Sequence, residues 1–405
     1  MFRRWTPSLI SVFLLMFMLA VDSSAREPIK SPPPTQLKIV RARDLGIPFE
    51  GTPGKLNAIT DVGGVEVGYA TLISGEGKLE VGKGPVRTGL TAILPRGHAS
   101  LNDPVYAGFF SLNGNGEMTG TAWVEESGFL EGPIVITNTH SVGVARDAVI
   151  AWQLKQGGTG ESLWSLPLVA ETWDGWLNDI NGFHVKPEDV WHALDTAQGG
   201  AIEEGSIGGG TGMICYEFKG GNGTASRMVS VTVGGGADPA RETTSRTYTV
   251  GVFLQANFGR RPQLIIAGVA VGQKIPGQVY KKENGSCIAV VATDAPLLPD
   301  QLKRLARRVS LGIARTGTIS GNSSGDLFVA FSTANPNVAI ANQITHDVQT
   351  IPNDLMDPLF AGVVQATEEA VVNALVDNHS MTGRDNHRVE ALPHDRLREL
   401  MKRNR

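Results

Sequence analysis

Apolar runs of β character come in two blocks along this chain, and each is joined to helical segments; no other feature restricts the fold as strongly. The first block reads VGGVEVGYATLI, TGLTAILP, VYAGFFSLNGNGEMTG and GPIVITNTH, short runs separated by Gly, Asn and Asp. A helical stretch follows, SVGVARDAVIAWQLKQGG, with Val144, Ala148 and Trp152 at i, i+4 and i+8 and a glycine pair at its end. A loop region, AETWDGWLNDINGFHV, separates it from a second helix, KPEDVWHALDTAQGG, with Pro187 in its first turn. The second block contains MICYEF, RMVSVTV, TYTVGVFLQANFG, QLIIAGVAV, GSCIAVVATDAP and SGDLFVAFSTAN. The amphipathic helix PDQLKRLARRVSLGIART interrupts it, and a long final helix, DPLFAGVVQATEEAVVNALVDN, closes it. Strand and helix blocks kept apart in this way imply an α+β architecture of stacked layers. No internal repeat or long linker divides the chain.

The ends and the charge narrow the setting. Arg3 and Arg4, an apolar run from Leu9 to Val21, and small residues at Ser23 and Ala25 have the three-part layout of a secretory signal peptide, cut after Ala25. The run is shorter than the ~20 residues that a spanning helix needs, and no later segment reads as a span, so the mature chain is expected to be exported, to a periplasm or outside the cell, without a stable membrane anchor. With 36 Lys and Arg scattered against 40 Asp and Glu, nucleic acid is not the expected partner. The basic face of PDQLKRLARRVSLGIART reads as solvated. Only two cysteines are present, Cys215 and Cys287, each within an apolar run, so they read as buried thiols and not as a disulfide framework. Neither has metal-ligand spacing with a histidine.

The unusual count is glycine, 49 residues, and the densest run is EEGSIGGGTGM, with five glycines within eight residues around Ser206. A phosphate loop of the Walker type needs a lysine that is absent here. The GGGTG run of tubulin-like GTPases sits at a helix start, whereas this one runs into MICYEF, which alternates like a strand. A plain helix-to-strand connection explains some of the glycines but not their clustering about one serine. The remaining reading is a self-cleaving junction. The Ser206 hydroxyl attacks the Gly205 carbonyl, the peptide bond becomes an ester, and water opens it. Glycine before the serine leaves the carbonyl unobstructed and tolerates a strained backbone. Cleavage would leave Ser206 with a hydroxyl and a free α-amine, whose ordinary pKa of about 7.7–8.0 suits it as base for its own hydroxyl.

EGSIGGGTGMICYEFKGGNGTASR, with NGNGEMTG, ETWDGWLNDINGFHV, GVFLQANFGRRPQL, ATDAPLLPDQLKRLARR and SGDLFVAFSTAN, resembles the DmpA/BapA family of L-aminopeptidase/D-esterases and β-peptidyl aminopeptidases, from about residue 40 to about residue 390. The resemblance implies a precursor that cuts itself between Gly205 and Ser206 into an α chain (26–205) and a β chain (206–405) of one domain. It implies a four-layer αββα sandwich, similar to N-terminal-nucleophile hydrolases with different connectivity. It also implies removal of N-terminal residues from short peptides, amides or esters, some with D- or β-amino acids. No metal or organic cofactor is implied, and the cut heterodimers are expected to assemble into homo-oligomers.

On this reading Ser206 is the nucleophile of an acyl-enzyme. Asn178, in LNDING, and Tyr106, in DPVYAGFF, match family positions that supply an amide and a phenolic donor to the oxyanion. An Asn-rich turn and a core aromatic are the plain alternatives. Glu117 is the candidate for the substrate's protonated amine, Asn257 for orienting the Ser206 amine or hydroxyl, and Ser320 to Asp326 for further polar groups. His140 and His184 lack the G-x-S-x-G context of a conventional triad. Asp294 and Asp326 lack paired ligand spacing for a metal. Two other functions compete: an acyltransferase like the ornithine acetyltransferases, which share the fold but use threonine, and a non-catalytic binding protein that retains the fold.

Overall fold

In its central strands the chain alternates two kinds of buried side chain, and this alternation builds a molecule of four layers. The computed structural model describes residues 40–157, 164–234, 243–277 and 285–403. The leader expected over residues 1–25 lies outside the described residues. The strands of the two main sheets are β1 (Glu66–Ser74), β2 (Val86–Leu94), β3 (Val105–Gly114), β4 (Phe129–Leu130), β5 (Ile134–Asn138), β6 (Leu168–Thr172), β7 (Gly221–Val233), β8 (Thr244–Asn257), β9 (Gly285–Thr293) and β10 (Ser324–Ser332). They form a four-stranded sheet, β1-β2-β5-β6, and a six-stranded sheet, β4-β3-β10-β9-β8-β7.

Each sheet has one parallel pair, β5 with β6 and β9 with β10, and antiparallel pairing elsewhere. A parallel pair needs a crossover. Helices α2 (Val142–Lys155) and α4 (Pro299–Arg315) supply the two crossovers and lie on the outer faces. Helix α1 (Thr121–Ser127) leads into β4, α3 (Pro187–Asp195) packs beside α2, and α5 (Asp357–Val376) packs beside α4.

Residues at alternate positions of one strand therefore enter different cores. On β9, Ile288 and Val290 meet the other sheet, whereas Cys287, Ala289 and Val291 meet α4 and α5. Between the sheets, Val67, Ile93, Ile136 and Leu168 pack against Phe253, Ile288, Val329 and Phe331. Behind the smaller sheet, Leu90, Val135 and Val169 pack against Val149, Trp152 and Leu194 of α2 and α3. The order is helix, sheet, sheet, helix, the αββα sandwich of the sequence reading.

Several local expectations need correction. MICYEF is not one strand but a two-residue hairpin, Ile214–Cys215 against Phe218–Lys219, with Tyr216 and Glu217 at φ +51° and +60°. Such turns require positive φ at both central residues. Here the Arg261 guanidinium holds the turn by donating to Tyr216 O at 3.0 Å and Glu217 O at 2.5 Å. QLIIAGVAV also turns, at Ala267 (φ +46°) and Gly268 (φ +77°), and then enters a one-turn helix, Val271–Lys274. The first three residues of the expected loop region, Ala170 to Thr172, instead complete the edge strand β6. The long helix is not the last, because α6 (His394–Arg403) follows it. By length and composition α5 could cross a bilayer, contrary to the reading that nothing after the leader could. It is a core helix, with 78% of its apolar window buried within the protein.

Phe331, fully buried between the sheets, tests this arrangement. Phe331→Ala is expected to lower unfolding free energy by about 3–5 kcal/mol, against less than about 0.5 kcal/mol for Val81→Ala on the exposed surface, read by denaturant unfolding.

Candidate active site

The glycine run threads backbone between the two sheets where side chains do not fit. A Cβ on Gly208 would overlap Leu90 O and the Tyr69 ring, one on Gly209 would overlap Gln255 and Ile136 O, and one on Gly210 would overlap Asn222 N and Gly205 O. The amides of the run are satisfied internally. Gly208 N donates to Thr71 Oγ1 (2.8 Å), Gly209 N to Thr91 Oγ1 (3.3 Å) and Gly210 N to Ile207 O (2.9 Å). An anion cradle needs such N–H groups pointing at a ligand; these point at the protein.

Just before the run, Gly205 is locked to the start of β7. Its N–H donates to Asn222 O (2.7 Å) and its carbonyl accepts from Asn222 N (2.9 Å). The same carbonyl accepts from Ile207 N at 3.0 Å. Gly205 adopts φ +74°, and a Cβ there would overlap the Asp377 carbonyl. Two backbone donors thus converge on the carbonyl that precedes Ser206, the arrangement that stabilises developing negative charge on an acyl oxygen.

Ser206 is half-buried, and its hydroxyl donates to Asn378 Oδ1 at 2.5 Å. The Asn378 amide group donates to the carbonyls of Lys219 (3.3 Å), Gly220 (3.0 Å) and Ala374. With its N–H groups engaged by carbonyls, Asn378 can offer the serine only its oxygen. The hydroxyl proton is therefore turned toward Asn378, and the oxygen lone pairs are left for attack. Beneath the loop, the fully buried Lys219 ammonium donates to Met213 O (2.9 Å) and Gly220 O (2.7 Å) and reaches Gly210 O at 3.4 Å. Burial pulls its pKa down to about 7.

The other candidate residues have different partners. Asn178 accepts from Arg87 N (2.9 Å) and donates to Asp174 (3.0 Å), a buried carboxyl that desolvation pushes up to about 7. Asn257 accepts from Ile214 N and donates to Trp173 O, both at 2.8 Å, and so ties the exit of the glycine run to the segment after β6. Tyr106 stacks on Phe129 at 4.8 Å, and its side chain packs with the core under α4 and α5. Glu117 is exposed; its amide donates to Glu171 Oε1 (3.1 Å), and burial raises the pKa of Glu171. Within the segment Ser320 to Asp326, Ser324 donates to Asp326 at 2.8 Å. His184 bonds Asp179 at 2.9 Å, and His140 stacks on Phe183. Cys215 and Cys287 are buried. Among the described residues no group of three His, Cys, Asp or Glu could hold a metal ion.

Asn378 and Asn222 were not singled out from the sequence. Asn378 lies 172 residues from Ser206, just beyond a helix end, and nothing local marks it. Asn222 had a signal, since it stands between glycines in KGGNGT, where a strand is approached closely by another backbone.

Comparison with known proteins agrees on one relationship. The family model described as Peptidase family S58 matches residues 57–389. A β-peptidyl aminopeptidase BapA of Sphingosinicella microcystinivorans is 52% identical over 381 residues, covering 90% of this chain and 92% of that protein. The BapA of Sphingosinicella xenopeptidilytica is 45% identical, over 99% of this chain and 97% of its own. Among solved structures, the L-aminopeptidase D-Ala-esterase/amidase of Ochrobactrum anthropi, described as a variant of the Ntn hydrolase fold, superposes with a TM-score of 0.81 at 47% identity, covering 90% of this chain and 98% of that one. A Burkholderia sp. β-aminopeptidase gives 0.80 at 45% identity, over 90% and 99%.

The packing at the junction is testable by adding one methyl group. A Cβ on Gly221 would overlap the Gly205 carbonyl. Gly221→Ala is expected to destabilise the fold by about 1–3 kcal/mol. Gly143→Ala, in α2 with open space around it, is expected to leave stability unchanged or raise it by up to about 1 kcal/mol. Thermal unfolding of the two variants checks both.

Proposed function

The chain belongs to peptidase family S58 and is an aminopeptidase of the N-terminal-nucleophile type, and on that premise we propose that it makes its own nucleophile by cutting itself between Gly205 and Ser206. The observation that carries this reading is the paired geometry of the bond, with a serine hydroxyl held by Asn378 and the preceding carbonyl held by two N–H groups. Ser206 Oγ adds to the Gly205 carbonyl carbon. The oxyanion stays within reach of the Asn222 and Ile207 amides, the C–N bond breaks, and the hydroxyl proton ends on the released Ser206 amine. Water then hydrolyses the Gly205 ester. The products are the Gly205 carboxylate of an α chain and the free N-terminus of a β chain.

The ester formed in that step has the same connectivity as the acyl-enzyme of turnover, with Gly205 in place of the substrate's first residue. For turnover, the Ser206 amine supplies the base that the precursor lacks, its ordinary pKa of about 7.7–8.0 matching neutral conditions. The substrates we assign are short peptides, amino-acid amides and esters with a free amino group, β- and D-residues included. Relatives named as β-peptidyl aminopeptidases and as an L-aminopeptidase D-Ala-esterase/amidase support this range. Glu117 is assigned to the substrate ammonium, to which a carboxylate is complementary. The working form we propose is exported, periplasmic or secreted, after loss of residues 1–25, and is an oligomer of the two-chain unit. The peptidase relationship disfavours the acyltransferase and binding-protein alternatives.

Mass analysis should give two fragments that meet at Gly205/Ser206 for the wild type and one intact chain for Ser206→Ala; a wild type that is whole and fully active would overturn the mechanism. Asn378→Ala, which frees the hydroxyl from its orienting acceptor, is expected to slow self-cleavage by about 10²-fold. Released amine should be seen with unblocked short peptides and not with N-acetylated ones. Glu117→Gln should raise KM for the former with kcat little changed.

A further inference from the structure

The geometry points to the Arg41–Glu204 ion pair as the clamp that positions the Gly205–Ser206 bond for self-cleavage, and we propose this role for it. The proposal rests on the self-processing reading above. Glu204 stands two residues before the attacking serine with its side chain only 2% exposed. One carboxylate oxygen accepts from Thr224 N at 2.7 Å, and the other lies 2.7 Å from Arg41 Nε. Thr224 and Asn222 are alternate residues of β7. The strand thus grips the junction twice, by its Asn222 backbone at Gly205 and by its Thr224 amide at Glu204. On the other side of the scissile bond, Ser206 is held by Asn378. The bond is therefore fixed at both ends, which an attack across a single residue requires.

Arg41 is itself anchored. Its terminal nitrogens donate to Leu56 O and Asn57 O, both at 2.9 Å, and to Thr224 O at 2.6 Å. The residue after it is tied to α5, where Ala42 N donates to Asn373 Oδ1 at 3.0 Å. A carboxylate so deeply buried, paired with a half-buried arginine, is a costly way to fill space, since apolar residues of the same volume generally do as well. What it adds is direction, because a charge anchored by several bonds fixes where its partner's backbone runs.

The clamp is sensitive to protons. Burial pushes the Glu204 carboxyl up to about 7, and Arg41 opposes that rise while Asp377 adds to it. The other ionisable groups around it are Glu203 and Tyr69, the latter bonded to Glu203 O at 2.9 Å, with His379 acting on Asp377. Above about pH 7 Glu204 is ionised and the pair is whole; below it the carboxyl is neutral and the charge attraction is lost.

The test follows cutting of the full chain made by cell-free synthesis, pulse-labelled and chased in buffers on both sides of neutrality. Wild type is expected to slow as the pH falls through about 7. Glu204→Gln should be slower by about tenfold or more above neutrality and lack that step. Arg41→Met and Arg41→Lys should both slow cutting, since lysine keeps the charge but not the three anchoring bonds. Glu204→Gln cut as fast as wild type, or slowed with the pH step unchanged, overturns the clamp alone. A folded wild type that is never cut overturns both this role and the self-processing reading.

Discussion

The exchange of two hydrogen bonds between Gly205 and Asn222 is the interaction on which the site geometry depends. It holds the carbonyl before Ser206 against β7 while the serine hydroxyl is turned to Asn378. The backbone can make this exchange because Gly205 adopts φ +74° and leaves room for the Asp377 carbonyl at the end of α5. From the sequence, glycine at this position is explained by unobstructed attack on its carbonyl. The structure gives a more specific reason: any side chain there would displace the end of α5, and with it the asparagine that orients the serine.

The sandwich supplies the remaining constraint. Facing sheets stand about 10 Å apart, a gap normally filled by interlocking side chains such as Phe253 and Ile136. The glycine run enters this gap at Gly209, between Ile136 O and Gln255, and only backbone fits. Side chains drawn from distant segments then meet around it. Thr91 comes from β2, Asn222 from β7, Asn378 from the exit of α5, and Arg41 from the segment before β1. Each is a short extension of an element already fixed by one of the three cores, so the layers and the site are specified together.

That origin explains what was legible in the sequence. The crossover helix α4 carries a strong local period, and both crossover helices and most of the apolar β-rich runs are read correctly. MICYEF and QLIIAGVAV have β composition but bend where Tyr216, Glu217, Ala267 and Gly268 take positive φ. Tertiary contacts impose at least the first of these bends, through Arg261, and no local pattern reports them. Ser206 stood out because its glycines cluster beside it. Asn378 did not, because its relation to Ser206 exists only after α5 has packed. Asn178 is a type suited to an oxyanion donor and Asn257 to orienting the serine, and in the structure their amides engage Asp174 and the Trp173 carbonyl. Residue type proposes a role; only packing shows where the donor is used.

The choice of an asparagine beside the serine has a chemical consequence. Asn378 accepts a hydrogen bond but takes no proton, unlike the histidine of a conventional triad. In the intact chain the nitrogen of Ser206 is an amide and has no basicity to offer. On the proposed route the first attack therefore relies on position, through the fixed hydroxyl and the carbonyl held by Asn222 and Ile207. On the proposed route, breaking that bond converts the amide into an amine attached to the same residue as the nucleophile. An intact chain would lack the base needed for turnover, and its own segment would fill the acyl site. On that route the reaction that creates the nucleophile's base would also free the acyl site, tying the onset of activity to a single covalent event.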